Sequence, residues 1–220
     1  MNKEINRLYL WQKWNHLVSV FSSELCLPSY LFEEICNFYS ESGRAYHNLG
    51  HIQFFFEKFE NYRDKIQSSN AFELAIWYHD IVYDPLQKNN EIASVELFRK
   101  HSEILHIKTS VVKKVEDLIM ATEKHRLENY DLEACLFLDL DLLILASSSD
   151  RYKEYAQAIR KEFQSFSDKD FYRGRLEFLQ KILEKDRVFF TDFIQIDYES
   201  AARKNMKDEV EFISQNKILA

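Results

Sequence analysis

The chain has 220 residues, 46% of them apolar and 15% aromatic, with a formal net charge of −7. Eighteen Phe and twelve Tyr exclude a disordered chain, and three Gly and two Pro are too few turn residues for a sandwich or barrel. Acids interspersed with bases leave no basic block for duplex nucleic acid, although a small phosphorylated ligand needs only one local cationic pocket.

Periodicity is helical almost throughout. Leu10, Trp14, Leu17, Val18 and Phe21 recur at 3/4 spacing and predict a helix over 9–21. Pro28 suits the first turn of a second, running to about Tyr39. Glu41-Ser42-Gly43 is a break, after which a third helix is expected from about Tyr46 to Tyr62. Ser68, Ser69 and Asn70 offer N-caps for a fourth, expected to end near Asp84 because Pro85 cannot continue it.

Asn89 and Asn90 offer caps for a fifth, to about His101. Lys108 to His125 reads as a sixth, with Val111, Val115, Leu118, Thr122 and His125 on one stripe. Cys135 to Leu145 is a nearly unbroken apolar run. Ser147–Asp150 opens a helix to about Phe166, Asp168 to Phe190 another, and Asp192 or the acids near Asp197 the last. No internal repeat or Pro/Gly/Ser linker interrupts the series, so a single all-α domain over 1–220 is expected.

Cys26, Cys36 and Cys135 are odd in number and form no C-x-x-C pair, as in reduced thiols of a cytosolic protein. The N-terminal stretch lacks the apolar core of a signal peptide. No apolar run approaches the roughly 18–20 residues of a membrane span. A cytoplasmic protein with no membrane partner is the expectation.

Four places carry chemistry. In I-W-Y-H-D-I-V-Y-D, residues 76 to 84, an aspartate follows a histidine inside an apolar stretch. Burying it without a partner costs several kcal/mol or more, against a net stability of about 5–15 kcal/mol. Phe72, Ala75, Ile76 and His79 share a core face, and helical neighbours diverge by about 100°. Both His79 and Asp80 reach inward only if something collects both, and a divalent cation does so while offsetting the charge. In R-A-Y-H-N-L-G-H, His47 and His51 stand four apart, one helical turn. In F-L-D-L-D-L-L-I-L, Asp139 and Asp141 interrupt a core run; a helix would point them about 200° apart, a strand would put them on one face, and periodicity alone does not choose. His125 closes the stripe that contains Thr122. Histidine and aspartate without cysteine describe an N/O site that Mn, Fe, Co, Ni, Zn or Mg can fill.

The ordered set R-x-Y-H-N-x-x-H, A-x-W-Y-H-D-I-V-Y-D, N-E-x-x-S, F-L-D-x-D-L-x-I-L, Y-x-x-x-I-R, Y-x-x-G-R and A-A-R-K-N resembles a bacterial subgroup, the predicted metal-dependent HD-superfamily phosphohydrolases. The likeness runs from about Arg44 to Asn205. It implies a single compact helical HD-domain fold of about eight to ten helices, with 1–42 packing on a metal-binding core, 43–205, and 206–220 ending the last helix. It implies His51, His79, Asp80 and Asp141 as ligands of one or two divalent ions per chain, Asp141 being favoured over Asp139 by the Asp-Leu that it begins. His47 would protonate the leaving oxygen, with Asp80 also in catalysis.

Arg forks match phosphate oxygens, so Arg44, Arg160, Arg175 and Arg203 are candidates for substrate phosphate. The alternative is pairing with acids such as Asp84, Asp139 or Glu91. Asn48, Asp84 and His125 join the candidate substrate-binding set, and His125 is also a candidate for a second metal. Leu140, Leu142 and Ala146 depart from the pattern expected around the aspartates without removing a ligand.

The expected function is hydrolysis of a phosphate mono- or diester, a nucleotide being one option, by metal-activated water. A non-catalytic nucleotide or metal sensor on the same scaffold is the alternative, ahead of an HD-type di-iron oxygenase. The pattern is compatible with a homodimer.

Overall fold

The computed structural model describes residues 5–24, 26–123 and 131–215. Among these residues are ten α-helices and no strand, as the periodicity predicts. They are α1 (Arg7–Ser19), α2 (Leu27–Tyr39), α3 (Leu49–Phe59), α4 (Ser69–Tyr78), α5 (Asn90–Ile104), α6 (Thr109–Thr122), α7 (Leu132–Asp141), α8 (Ser149–Glu162), α9 (Asp168–Leu183) and α10 (Asp192–Gln215). Glu60–Lys65 and Leu142–Ala146 form 3-10 segments after α3 and α7. Packing divides the chain into two units, residues 1–137 and 138–220, and α7 runs through the boundary. No helix among the described residues is long and apolar enough to cross a membrane.

In the first unit α4 is the axis. Every residue from Ala71 to Tyr78 is buried, and α1, α3, α5 and α6 all pack on this helix. A helix apolar all round has no face to give to water. Its one buried acid, Glu73, is held by Arg63 at 2.8 Å. Around α4 stands an aromatic core. Trp14 meets Trp77 edge to face at 5.5 Å, Phe59 stacks on Phe72 at 5.1 Å, and Phe137 of α7 leans on both Phe55 and Phe72. Each such pair adds about 0.5–1.5 kcal/mol to the area it buries. Two polar atoms of this core find backbone partners: Trp14 Nε1 donates to Pro28 O, and the Tyr39 hydroxyl donates to Trp77 O, both at 2.9 Å.

The N-terminus of α4 shows how a cap arrives from far away in sequence. Ser68 occupies the N-cap position, yet its side chain makes no capping bond. Glu133 of α7 accepts from Gln67 N at 2.6 Å and Ser68 N at 2.8 Å instead, and Lys114 of α6 stands 3.2 Å from the same carboxylate. Burial pushes the Glu133 carboxyl up, but the two amides and the lysine outweigh it and hold the group below its ordinary value of 4.5. A carboxylate with a depressed folded-state pKa stabilises the fold above that ordinary value and ceases to do so as pH falls through the folded one. Urea unfolding of the wild type is therefore expected to weaken as pH drops below about 4.5, and Glu133→Gln to flatten that part of the profile.

The second unit has a core of Leu143, Ile144 and Leu145 from the 3-10 segment against Ile194, Ala202, Met206 and Ile213 of α10. Asn205 of α10 donates to Leu145 O at 2.9 Å and Ser147 O at 2.8 Å, which supplies partners to carbonyls left over where the 3-10 turn ends. α9 stops at Leu183, seven residues before the expected Phe190. Arg203 of α10 reaches the carbonyls of Leu183 and Lys185 beyond that end, at 3.0 and 2.7 Å.

Candidate metal centre

α3 begins at Leu49, not at the expected Tyr46. Asn48 is its N-cap, in extended backbone geometry, with Oδ1 accepting from Gly50 N at 2.8 Å and Nδ2 donating to Ala45 O at 3.0 Å. A side chain that caps competes with continued helix for the backbone donors, so His47 lies in the turn before the helix. His47 and His51 are therefore not helical i,i+4 neighbours, but the turn still brings their ring centres to 6.0 Å. The His47 ring is set by Tyr83, whose ring centre is 4.2 Å away with the planes inclined by 31°.

α4 likewise ends at Tyr78, six residues earlier than Pro85 suggests, with His79 as its C-cap. This break answers the question posed by adjacent His and Asp. After His79 the helix tightens into a turn closed by Ile81 N donating to Tyr78 O at 3.3 Å, and the Asp80 carboxylate comes back to the His79 ring. Asp80 Oδ2 lies 3.1 Å from His79 Nε2 and 3.6 Å from His51 Nε2, and the two Nε2 atoms are 3.0 Å apart. His51 and His79 side chains are 1% exposed and that of Asp80 23%, so only the carboxylate touches solvent.

The ring of His79 is fixed on its other side. Its Nδ1 faces Ile76 O at 3.1 Å, and since a carbonyl only accepts, Nδ1 carries the proton. In the neutral ring the lone pair of Nε2 then turns towards Asp80 Oδ2. Two electron-rich atoms that close repel each other unless a cation or proton lies between them. Edge-on contacts of the His79 ring with Phe55 and Phe137, at 5.5 and 5.9 Å, keep that orientation. A backbone carbonyl on the far nitrogen is the usual way of orienting a metal-ligating imidazole. Two imidazoles and a carboxylate are a donor set that divalent first-row cations accept, so the residues present fit a metal ion.

The candidate ligand group comprises His51, His79, Asp80 and Asp141, the first two buried and the others half-buried. Asp141 closes α7, one turn after the Phe137 whose ring stands against His79. The helical reading of 135–141 is the one that holds, so Asp139 and Asp141 face apart. Asp139 is fully buried and committed elsewhere: it accepts from Phe190 N at 2.6 Å, Thr191 N at 2.7 Å and Thr191 Oγ1 at 2.6 Å, just ahead of α10. Burial pushes its carboxyl up, against the pull of those three donors. Asp139→Asn sets an NH2 against at least one of them and is expected to cost about 1–3 kcal/mol, seen as a lower urea midpoint with metal content unchanged.

The remaining candidates are placed as follows. Arg44, 2% exposed, gives its donors to backbone carbonyls and Glu41. Asp84 organises the turn at Pro85: its Oδ1 accepts from Leu86 N at 2.9 Å, and its backbone exchanges two hydrogen bonds with the Asn90 amide. Arg160 holds Asp168 and the carbonyls of Phe163 and Phe166. Arg175 makes a two-pronged pair with Glu209, and Arg203 binds Glu199 at 2.6 Å. The arginines thus have acid partners, but these are Glu41, Asp168, Glu209 and Glu199. His125 lies outside the described residues.

Two features escaped the pattern. Tyr83, the aromatic floor under His47, was visible only as part of the V-Y-D end of its motif. Glu133 carries no local signal, because the amides that it caps are more than sixty residues away. The sequence matches no family model, and neither a curated protein nor a solved structure matches it.

Proposed function

We propose that this chain is a metal-dependent phosphohydrolase acting on a phosphate mono- or diester of nucleotide size. The observation that carries the proposal is the convergence of His51 Nε2, His79 Nε2 and Asp80 Oδ2 within 3.6 Å, at a helix end inside an apolar core. Asp141 joins them as the fourth ligand. The motif order from Arg44 to Asn205, with its resemblance to the HD-superfamily phosphohydrolases, supports the same reading. A divalent cation bound there lowers the pKa of a water and polarises a phosphoryl oxygen.

The protein's own groups supply the rest. His51 and His79 bring neutral nitrogens and keep water from the inner side of the site. Asp80, the one of these three that meets solvent, faces the side from which substrate arrives. His47 stands next to His51 on the plane of Tyr83, and protonates the leaving oxygen as it departs. The test is metal content after purification without chelator, followed by a screen of nucleotides and generic phosphoesters under each divalent ion. The expected result is about one bound ion per chain and metal-dependent release of phosphate or nucleotide. A chain that retains no divalent ion, or whose turnover survives loss of His79, defeats the proposal.

A further inference from the structure

Arg44 is the most heavily engaged side chain near the candidate ligands. Its Nη1 donates to Asp80 O at 2.7 Å and to His47 O at 3.1 Å, its Nη2 donates to Ile81 O at 2.7 Å, and its Nε reaches Glu41 Oε2 at 3.2 Å. The guanidinium lies between two rings, with Cζ 5.2 Å from the centre of Tyr39 and 5.7 Å from that of Tyr83. Tyr39 is itself tied to α4 through Trp77 O.

The carbonyls that Arg44 holds are not ordinary ones. Asp80 O and Ile81 O lie just past the end of α4, where the helix leaves backbone acceptors without helical partners and where its dipole favours a cation. His47 O belongs to the other turn, the one ahead of α3. One planar group therefore fastens the turn that carries His79 and Asp80 to the turn that carries His47.

We infer, resting on the metal-centre reading above, that Arg44 is a positioning residue: it locks these two turns together and so sets the ligand geometry at Asp80 and the place of His47. Its donors go to three backbone carbonyls and Glu41, so its effect on substrate passes through the residues it holds. Lysine keeps the charge but has neither the fork that spans two turns nor the plane that fits between two tyrosines.

The test uses the full chain as Arg44→Lys and Arg44→Met, with Glu41→Gln as control because Glu41 touches only the outer edge of the guanidinium. Mn²⁺ and Zn²⁺ are titrated in competition with a fluorescent chelator, and amide exchange of Ile81 and Val82 is followed in metal-free protein. Arg44→Lys is expected to weaken cation affinity by about 10–100-fold, the usual cost of losing an outer support, and to speed exchange at both amides. Glu41→Gln is expected to match wild type in both. An Arg44→Lys protein that folds and keeps either wild-type value overturns the inference.

If wild type binds neither cation, the metal-centre reading fails, and exchange at Ile81 and Val82 alone decides whether Arg44 locks the turns. If both Arg44 variants fail to fold, Tyr83→Leu, which strips one ring from the guanidinium, is read by the same two measurements.

Discussion

His79→Ala and Asp80→Ala are each expected, on the proposed function, to empty the candidate metal centre and to lower phosphoester turnover by well over about 100-fold, beyond what loss of an outer partner costs. The reason is the small number of groups involved. His79 is oriented from three sides, by Ile76 O, Phe55 and Phe137, and alanine there leaves a ring-sized void as well as a missing nitrogen. Asp80 brings the one carboxylate among the three converging side chains of the first unit, so its loss removes the negative charge that offsets a dication. Metal per chain, measured by atomic emission, should fall from about one towards zero in both variants. Asp139→Asn is the control, since it removes a more deeply buried carboxylate that serves the Phe190 and Thr191 amides and the Thr191 hydroxyl instead. Retention of metal by either ligand variant would place the ion elsewhere.

The largest effect on stability is expected from Arg175→Met. Arg175 of α9 is buried and forms a two-pronged pair with Glu209 of α10, at 2.8 and 3.0 Å, with Nη1 3.3 Å from the Tyr155 hydroxyl. Its guanidinium also lies over the Tyr155 ring at 5.2 Å. Glu209 accepts in addition from the Tyr152 hydroxyl at 2.6 Å. Removing the arginine alone strands a carboxylate that is only 12% exposed. Breaking such a pair costs about 3–5 kcal/mol, which lowers the melting temperature of a chain this size by roughly 10 °C. Replacing both partners with apolar residues should recover part of the loss, because no charge is then left buried. Calorimetry on the two single variants and the double variant measures the difference. A double variant no more stable than Arg175→Met would mean that the pair contributes through something other than its charges.

Helices were legible in this sequence wherever one face is apolar, and α4 was legible because no face is polar. Their ends were not. Pro85 is the local stop signal, yet the helix stops at Tyr78, where Arg44, thirty-six residues from Asp80, offers its carbonyl a better partner than another helical turn would. Asn48 is a cap whose signal was present but was outweighed by the attraction of placing two histidines on one helical face. The cost of burying an aspartate beside a histidine drew attention to His79 and Asp80, but the full candidate quartet came from the resemblance of the ordered motifs, not from burial or spacing. Asp139 against Asp141 could not be settled by pattern, since the donors that claim Asp139 come from a loop fifty residues away. The arginines were recognised as ion-pair candidates without their partners, because pairing across helices leaves no periodic trace.

The all-round burial of α4 also governs traffic. From Ala71 to Tyr78 the helix gives no side to water, and the amides just ahead of its first turn are taken by Glu133. On the proposed phosphohydrolase reading, reactant and product would both pass the opposite tip, over the partly wetted carboxyl of Asp80, and share one doorway.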